Sequence, residues 1–512
     1  MSDYKAFKEA SVTGLTGSTV THVNIISSVA LASIVLHSTL QTRVYRDHAI
    51  PFFVSWMALL LPLLFSMTLF ANNPGLLAFI LLLPTALILL RTTAPDNVNM
   101  PQPASGKGPA SPHSTPSYAQ SRFAVEVKPP SLTPLPAITT YRAHMMLMTV
   151  LGILAVDFPV FPRALAKCES YGVSLMDLGV GSFVFSSGVV SAIPLLRDPA
   201  HLKAPLLPKV TVVVRKTLPI IAIGVIRVLL VKGTDYPEHE TEYGVHWNFF
   251  ISLALLPVLQ TLLHPLLRAV PASLLGVGVG ILQQLSLSVF GLKEYVRSAP
   301  RLNLISANKE GIVSLAGYLS IHLLGLSIGT LILPPSPNFF RRLLTGRSTP
   351  AELGASRQND KGAIELASYA IVWWALLAVA SLLRVDEGVS RQTANLPYAL
   401  WIAAFNTSYI LGYLVLDMLF FPTPAVRRKK SRQSTDDISA SASPARAPLL
   451  LEAINKNALP VFLLANVLTG LVNLSMQTMY ASAGVSMGVL SLYTFVVSGV
   501  AWRLRGVRVW RL

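Results

Sequence analysis

The stretch Ala155-Val156-Asp157-Phe158-Pro159-Val160-Phe161-Pro162-Arg163-Ala164-Leu165-Ala166-Lys167 places an acid, two prolines and two bases at the end of an apolar run. A carboxylate at mid-membrane costs roughly 2.5–3.5 kcal/mol on insertion scales, so one kept beside lipid-soluble helix has a partner or a chemical task. Pro159 and Pro162 cannot continue an ordinary helix, so the chain turns back and lets Lys167 approach Asp157. The spacing therefore predicts an Asp157–Lys167 ion pair. A desolvated carboxylate is more basic than one in water, which suits Asp157 to general-base work. Lys167 would fix the charge of Asp157 or stabilise a developing oxyanion. A salt bridge that only staples a re-entrant turn would use the same residues.

Other polar groups gather at span ends on the same side. They include Asp235 to Asn248, with His246 and Asn248; Ser306 to Gly311, with Asn308; and Ser390 to Tyr398, with Arg391 and Asn395. Asp177 opens the span after Lys167 and shares a helix face with Gly181. Gly179, Gly181, Ser186 and Gly188 read as packing positions. The set Asp177, His246, Asn248, Asn308, Arg391 and Asn395 supplies candidate substrate contacts, and helix capping is the competing role for each. Arg227, near the end of its span, reads as snorkelling outward, with binding of a substrate phosphate as its alternative role. No metal constellation is expected: no H-x-x-x-H or C-x-x-C occurs, and Glu238-His239-Glu240 is a weak pattern. No phosphate-binding Gly-rich loop occurs either, so neither a cofactor nor ATP is expected. The single cysteine, Cys168, excludes an intrachain disulfide and lacks an adjacent His that would activate it.

The elements that hold these groups follow from composition. The chain has 512 residues, of which 52% are hydrophobic and 13% charged. Mean hydropathy is +0.55, which excludes an ordinary soluble enzyme. The pattern predicts an all-α polytopic membrane protein of about thirteen transmembrane helices. Their limits are near 22–40, 51–71, 75–91, 143–158, 175–196, 211–231, 246–263, 272–290, 311–333, 364–384, 396–421, 458–475 and 485–502. The residues before Val23 are not a cleavable signal by pattern, so the first span is expected to stay as an anchor. The formal charge of +17 lies in short loops between spans, where bases set topology and meet anionic lipid rather than nucleic acid. Loops on the C-terminal side hold about 29 Lys and Arg against about 11 on the other, placing the N-terminus in the lumen and the C-terminus in the cytosol. Residues 92–140, 334–363 and 422–457 read as flexible cytosolic linkers within one membrane domain.

Several stretches resemble the inositol acyltransferases of glycosylphosphatidylinositol (GPI) anchor synthesis, the family of the fungal GPI-anchored wall transfer protein and mammalian PIG-W. They are Phe7 to Gly17, Ala155 to Lys167, Gly172 to Ser186, Glu242 to Phe250, Asn308 to Ile312, Ala394 to Tyr398 and Leu464 to Asn473. They keep family order from the N-terminus almost to the end. His22 stands where the family often has an acid, so no role transfers to it, and the linkers 92–140 and 422–457 inherit nothing. The resemblance implies a multi-pass enzyme of the endoplasmic reticulum that moves a fatty acyl group, commonly palmitoyl, from acyl-CoA to the inositol 2-hydroxyl of glucosaminyl-phosphatidylinositol. It carries the catalytic pair onto Asp157 and Lys167, and it implies antifungal inhibitors that compete for the acyl-donor site.

Such a reaction needs a base, an oxyanion partner and an apolar slot. Acyl-CoA is made in the cytosol while the polar groups lie toward the lumen, so a hydrophobic tunnel among the spans from about 143 to 290 is expected to join them. Arg215 and Lys216 could meet the CoA phosphates. Two other classes stay open: a polytopic lipid transporter or flippase, and a non-catalytic subunit that presents GPI precursors.

Overall fold

Runs of Leu, Ile, Val and Ala longer than any strand fold as helices that begin and end on the polar segments between them. The computed structural model describes residues 4, 7–8, 10–46, 48–91, 132–232, 240–421 and 446–510. The longer helices are α1 (Val20–Thr39), α2 (Phe52–Leu59), α3 (Leu61–Ser66), α4 (Pro74–Arg91), α5 (Pro136–Ala155), α6 (Leu175–Arg197) and α7 (Leu206–Lys232). They continue with α8 (Phe249–Leu262), α9 (Ala272–Ser288), α10 (Lys309–Ile332), α11 (Asn359–Leu382), α12 (Leu396–Phe420), α13 (Ala458–Ser475) and α14 (Ala483–Arg503). Among the described residues no strand forms beyond isolated bridges of Gly17 and Ser18 with Val173.

Each of the thirteen apolar stretches falls on helix. Among the described residues, nine helices are long and apolar enough to cross a membrane, α9 with the bent Leu292–Ser298 helix makes a tenth, and α2–α3 and α8 are shorter apolar helices. The chain is an all-α polytopic membrane protein. Pro84, Pro194, Pro219 and Pro257 lie inside these helices, which membrane helices tolerate because neighbours satisfy the freed backbone groups.

The central element is α10, buried over 78% of its apolar window, with α6, α8, α9 and α12 packed around it. Its approach to α6 depends on absent side chains. A Cβ on Gly188 would sit 2.0 Å from the His322 carbonyl oxygen, one on Gly325 2.1 Å from that of Phe185, and one on Gly329 2.2 Å from that of Val189. Lipid tails provide no hydrophobic drive between helices, so this backbone contact supplies packing and weak polar attraction. Gly188 and Gly181 thus pack as expected, whereas Gly179 has only the Thr149 hydroxyl near it. A Gly325→Val protein should lose about 1–3 kcal/mol or more of stability, as overpacked cores do. A melting curve in detergent unchanged from wild type would contradict that contact.

Three boundaries differ from expectation, one of them at 422–457, where Leu449–Lys456 folds as a helix with Leu450, Leu451 and Ile454 buried. α5 begins at Pro136, inside the 92–140 linker, because Pro at the first helical turn needs no donor there; residues 92–131 lie outside the described residues, as do 422–445. Residues 334–358, read as a linker from their Pro and Arg content, pack onto the core with Phe339, Leu343 and Leu353 buried. The Arg357 guanidinium ties them down by donating to the carbonyls of Leu333, Pro134 and Thr133.

Loops at one end of the bundle converge. Gly172 N–H donates to Val389 O, Gln392 to Thr241 O, Asn473 to Asp157, and Ser18 N–H to Val173 O. Caps hold the helices that start there: Thr19 on α1, Ser174 on α6, Asn248 on α8, Asn395 on α12 and Ser482 on α14. This is the polar end.

Candidate active site

The loop after α5 is a turn anchored by buried Phe158 and Phe161. Arg163 closes it, donating to the Val156 carbonyl at 2.8 Å and the Phe158 carbonyl at 3.0 Å. Asp157 is 4% exposed. One carboxylate oxygen lies 2.8 Å from Lys8 Nζ, and the other accepts from Asn473 Nδ2 at 2.8 Å. Lys8 also donates to Asn473 Oδ1 at 3.0 Å, and Thr478 and Tyr4 extend the chain of hydroxyls behind it.

The expected Asp157–Lys167 ion pair is therefore corrected. Lys167 Nζ pairs with Glu242 Oε1 at 2.7 Å, and Lys8, from the segment before α1, takes the place beside Asp157. The turn is held by Arg163 to backbone carbonyls, so nothing in it draws the two charges together. Both residues remain on one loop at the polar end.

Glu242 belongs to a second, deeper network. Arg391 Nη2 lies 3.3 Å from Glu242 Oε1, and Arg391 Nε lies 2.6 Å from Asp177 Oδ1. Asp177 Oδ2 accepts from the Cys168 N–H at 2.9 Å and the Ser174 hydroxyl at 2.8 Å. Tyr398 donates to the Asp177 carbonyl, and the Tyr243 ring lies 5.6 Å from the Arg391 guanidinium. Burial alone would raise the Glu242 carboxyl, but Lys167 and Arg391 outweigh it and hold it down at about 2, with Arg227 adding to the effect. The four side chains Lys167, Glu242, Arg391 and Asp177 thus form one charged row from the exposed rim into the core.

Cys168 is enclosed beside this row. A Cβ on Gly17 (φ +81°) or Gly172 (φ +142°) would come within 2.6 or 2.7 Å of its sulfur, so both positions need glycine for conformation and for space. Burial pushes its thiol up, with the Asp177 carboxylate acting in the same direction. Alkylation of native protein should run at least about tenfold slower than that of a free thiol, and Cys168→Ala should keep activity within about twofold. Rapid labelling that abolishes turnover would contradict this.

The remaining expected contacts act first on the protein itself. Asn248 caps α8 and donates to Gly224 O at 2.8 Å. Asn308 accepts from the His246 backbone N–H at 2.8 Å and donates to Leu304 O at 2.8 Å. Asn395 accepts from the N–H groups of Ser390 and Tyr398 and donates to Asp386 and Gly388 O. The His246 residue is exposed. The weak Glu238-His239-Glu240 pattern has its first two residues outside the described set. No group of three metal-ligating side chains occurs among the described residues.

Beside the charged row lies a cavity of about 450 Å³, walled by Glu169, Tyr171, Lys293, Arg297, Arg301 and Lys309 among others. Thr241, Ser390 and Gln392 also line it, so it adjoins the chain neighbours of Glu242 and Arg391. Lys8, Glu242, Asn473, Lys293, Lys309 and Asp386 were not singled out in the sequence as site residues. Lys8, Glu242, Asn473 and Lys309 do stand within the stretches that carry the resemblance, so a signal was present. Asp386 lies outside them. Burial would raise its carboxyl, but hydrogen bonds from Lys293 and Asn395 prevail and hold it at about 2.

Comparison with known proteins places these stretches in context. A family model described as GWT1 matches residues 4–504. The chain is 39% identical over 520 residues to GPI-anchored wall transfer protein 1 of Aspergillus fumigatus, covering 99% of this chain and 98% of that protein. It is 48% identical over 392 residues to the protein of that name from Cryptococcus neoformans var. grubii, covering 73% of this chain and 63% of the relative. The Yarrowia lipolytica counterpart is 36% identical over 514 residues, with 98% of each chain covered.

Proposed function

This chain belongs to the GWT1 family, and from that premise we propose that it acts in GPI-anchor biosynthesis as an acyl-CoA-dependent inositol O-acyltransferase. The observation that carries the reading is the polar end of a membrane bundle. There a buried carboxylate, Asp157, and an ammonium, Lys167, lie on one loop, each in its own ion pair. The name shared by the relatives supports the GPI pathway.

The inositol 2-hydroxyl attacks the thioester carbonyl while Asp157 takes its proton. The C–O bond forms, and negative charge gathers on the carbonyl oxygen, which Lys167 meets. Collapse breaks the C–S bond, and the CoA thiolate leaves with the proton returned from Asp157. Lys8 and Asn473 hold the Asp157 carboxylate in place, and Glu242 orients Lys167. Arg391 and Asp177 fix the loop from beneath, while Asn248, Asn308 and Asn395 set the helix starts around it, with His246 at the rim. Acyl-CoA serves as substrate, with palmitoyl as the group transferred, and no cofactor takes part. The donor's tail would run between spans from the cytosolic face, the route on which antifungal competitors would act. Under the positive-inside rule the basic end faces the cytosol and the polar end the lumen of the endoplasmic reticulum.

Purified protein mixed with labelled palmitoyl-CoA and glucosaminyl-phosphatidylinositol tests the reading. Label on the inositol ring is the expected result. Lipid crossing the bilayer of reconstituted vesicles without product would replace it with transport, and binding alone would replace it with a presenting subunit.

A further inference from the structure

The cavity beside the charged row has an unusual balance. Most of the charges around it are already matched. Arg301 grips Glu310 with two bonds of 2.7 and 3.1 Å, Lys293 lies 2.7 Å from Asp386 and 2.8 Å from Glu387, and Arg297 lies 3.2 Å from Glu387. Two lining charges lack an opposite charge within ion-pair distance among the described residues. Lys309 is 4% exposed, and its ammonium donates to the Ala299 carbonyl at 2.5 Å. Glu169 is exposed, and its carboxylate accepts from the Gly14 N–H at 2.7 Å.

Lys309 is also the first residue of α10, a helix of 24 residues whose start no side chain caps. A cation there opposes the helix dipole. An anion beside Lys309 would reverse that penalty and meet the first N–H groups of the helix as well. A buried ammonium, an uncapped helix start and a cavity wall thus coincide at one place, with an unmatched carboxylate on the same cavity.

We propose that this cavity holds the phosphoglycan headgroup of the acceptor, its phosphodiester at Lys309 and the α10 start and its sugar ammonium at Glu169. The choice of acceptor rests on the acyl-transfer reading above. A headgroup carrying one negative phosphodiester and one amine matches the two unmatched charges in sign and number. Thr241, Ser390 and Gln392, neighbours in the chain of Glu242 and Arg391, line the same cavity, so the inositol ring between phosphate and sugar would lie toward the row that ends in Lys167.

The test uses full-length protein in detergent. Lys309→Gln should raise the acceptor KM about tenfold or more while kcat and the acyl-CoA KM stay within about threefold. Glu169→Gln should raise the acceptor KM about three- to tenfold with glucosaminyl-phosphatidylinositol, yet leave it unchanged with the N-acetylated acceptor, which has no ammonium. Calorimetry should detect binding of soluble glucosaminyl-inositol phosphate that Lys309→Gln removes. Inorganic phosphate binding as tightly as this headgroup would overturn the assignment, leaving a plain anion site. Folded variants that keep wild-type acceptor KM and headgroup binding would overturn it too. Should Lys309→Gln fail to fold, exposed Glu169 decides the matter through the comparison of amine and N-acetyl acceptors, read as binding where turnover is absent. Headgroup binding with these dependences but no acylated product would support the cavity and remove the acyl-transfer reading.

Discussion

Asp157→Asn protein, folded and purified at wild-type yield, transfers acyl groups about 10²–10⁴-fold more slowly than wild type, the range that a positioned general base contributes. Asparagine keeps the shape and the bond from Asn473 but cannot take a proton. Replacing its partner gives a different signature. Lys8→Met leaves a 4%-exposed carboxylate without its cation, and breaking a buried pair in this way costs about 3–5 kcal/mol. Both melting temperature and turnover should fall. The double variant Lys8→Met/Asp157→Asn removes both charges, so it should regain much of the stability and none of the activity. Measured melting curves and initial rates for the four proteins separate the two roles. Full activity in folded Asp157→Asn would remove this residue from the chemistry, and a stable, active Lys8→Met would show that the ion pair does nothing.

Arg391→Gln should have the largest effect on folding. Its side chain is 2% exposed and joins Asp177, itself 1% exposed, to Glu242. Among the described residues, removing the guanidinium takes the one charged partner from buried Asp177 at the α6 start and one of two from Glu242, which keeps Lys167. Breaking the buried pair costs about 3–5 kcal/mol, a large share of the stability of any domain. The arginine's backbone matters as well, since its carbonyl accepts from Tyr318 on α10. Low yield, aggregation or a sharp fall in melting temperature is the expected outcome, read by size-exclusion profile and thermal unfolding. The companion Arg391→Lys keeps charge but not the two-pronged reach, because lysine is a single point charge. It should recover part of the stability and little of the activity. Wild-type melting in Arg391→Gln would mean that water already compensates the two acids.

The Asp157 site was half legible in sequence. An acid followed by two prolines at the end of an apolar run identified a carboxylate that needs explaining, and the structure buries it. Its partner was chosen by nearness along the chain, and nearness was the wrong guide. Lys8 reaches Asp157 from near the start of the sequence and Asn473 from near its end. Glu242 and Arg391 are similarly distant from Lys167 and Asp177. The asparagines were legible as polar groups at helix starts, but which of their atoms would be consumed by caps was not. Asn395 uses its amide on four protein groups.

Local sequence determined the helices, because an apolar run of sufficient length has one way to satisfy its backbone in lipid, and it determined that the polar segments would collect between them. The pairing of charges was decided by tertiary structure alone. Loop ends meet according to how the helices beneath them pack, and that packing turns on backbone contacts such as Gly325 against Phe185 and Gly188 against His322. A glycine read singly says only that space is available; which neighbour fills it depends on the whole bundle.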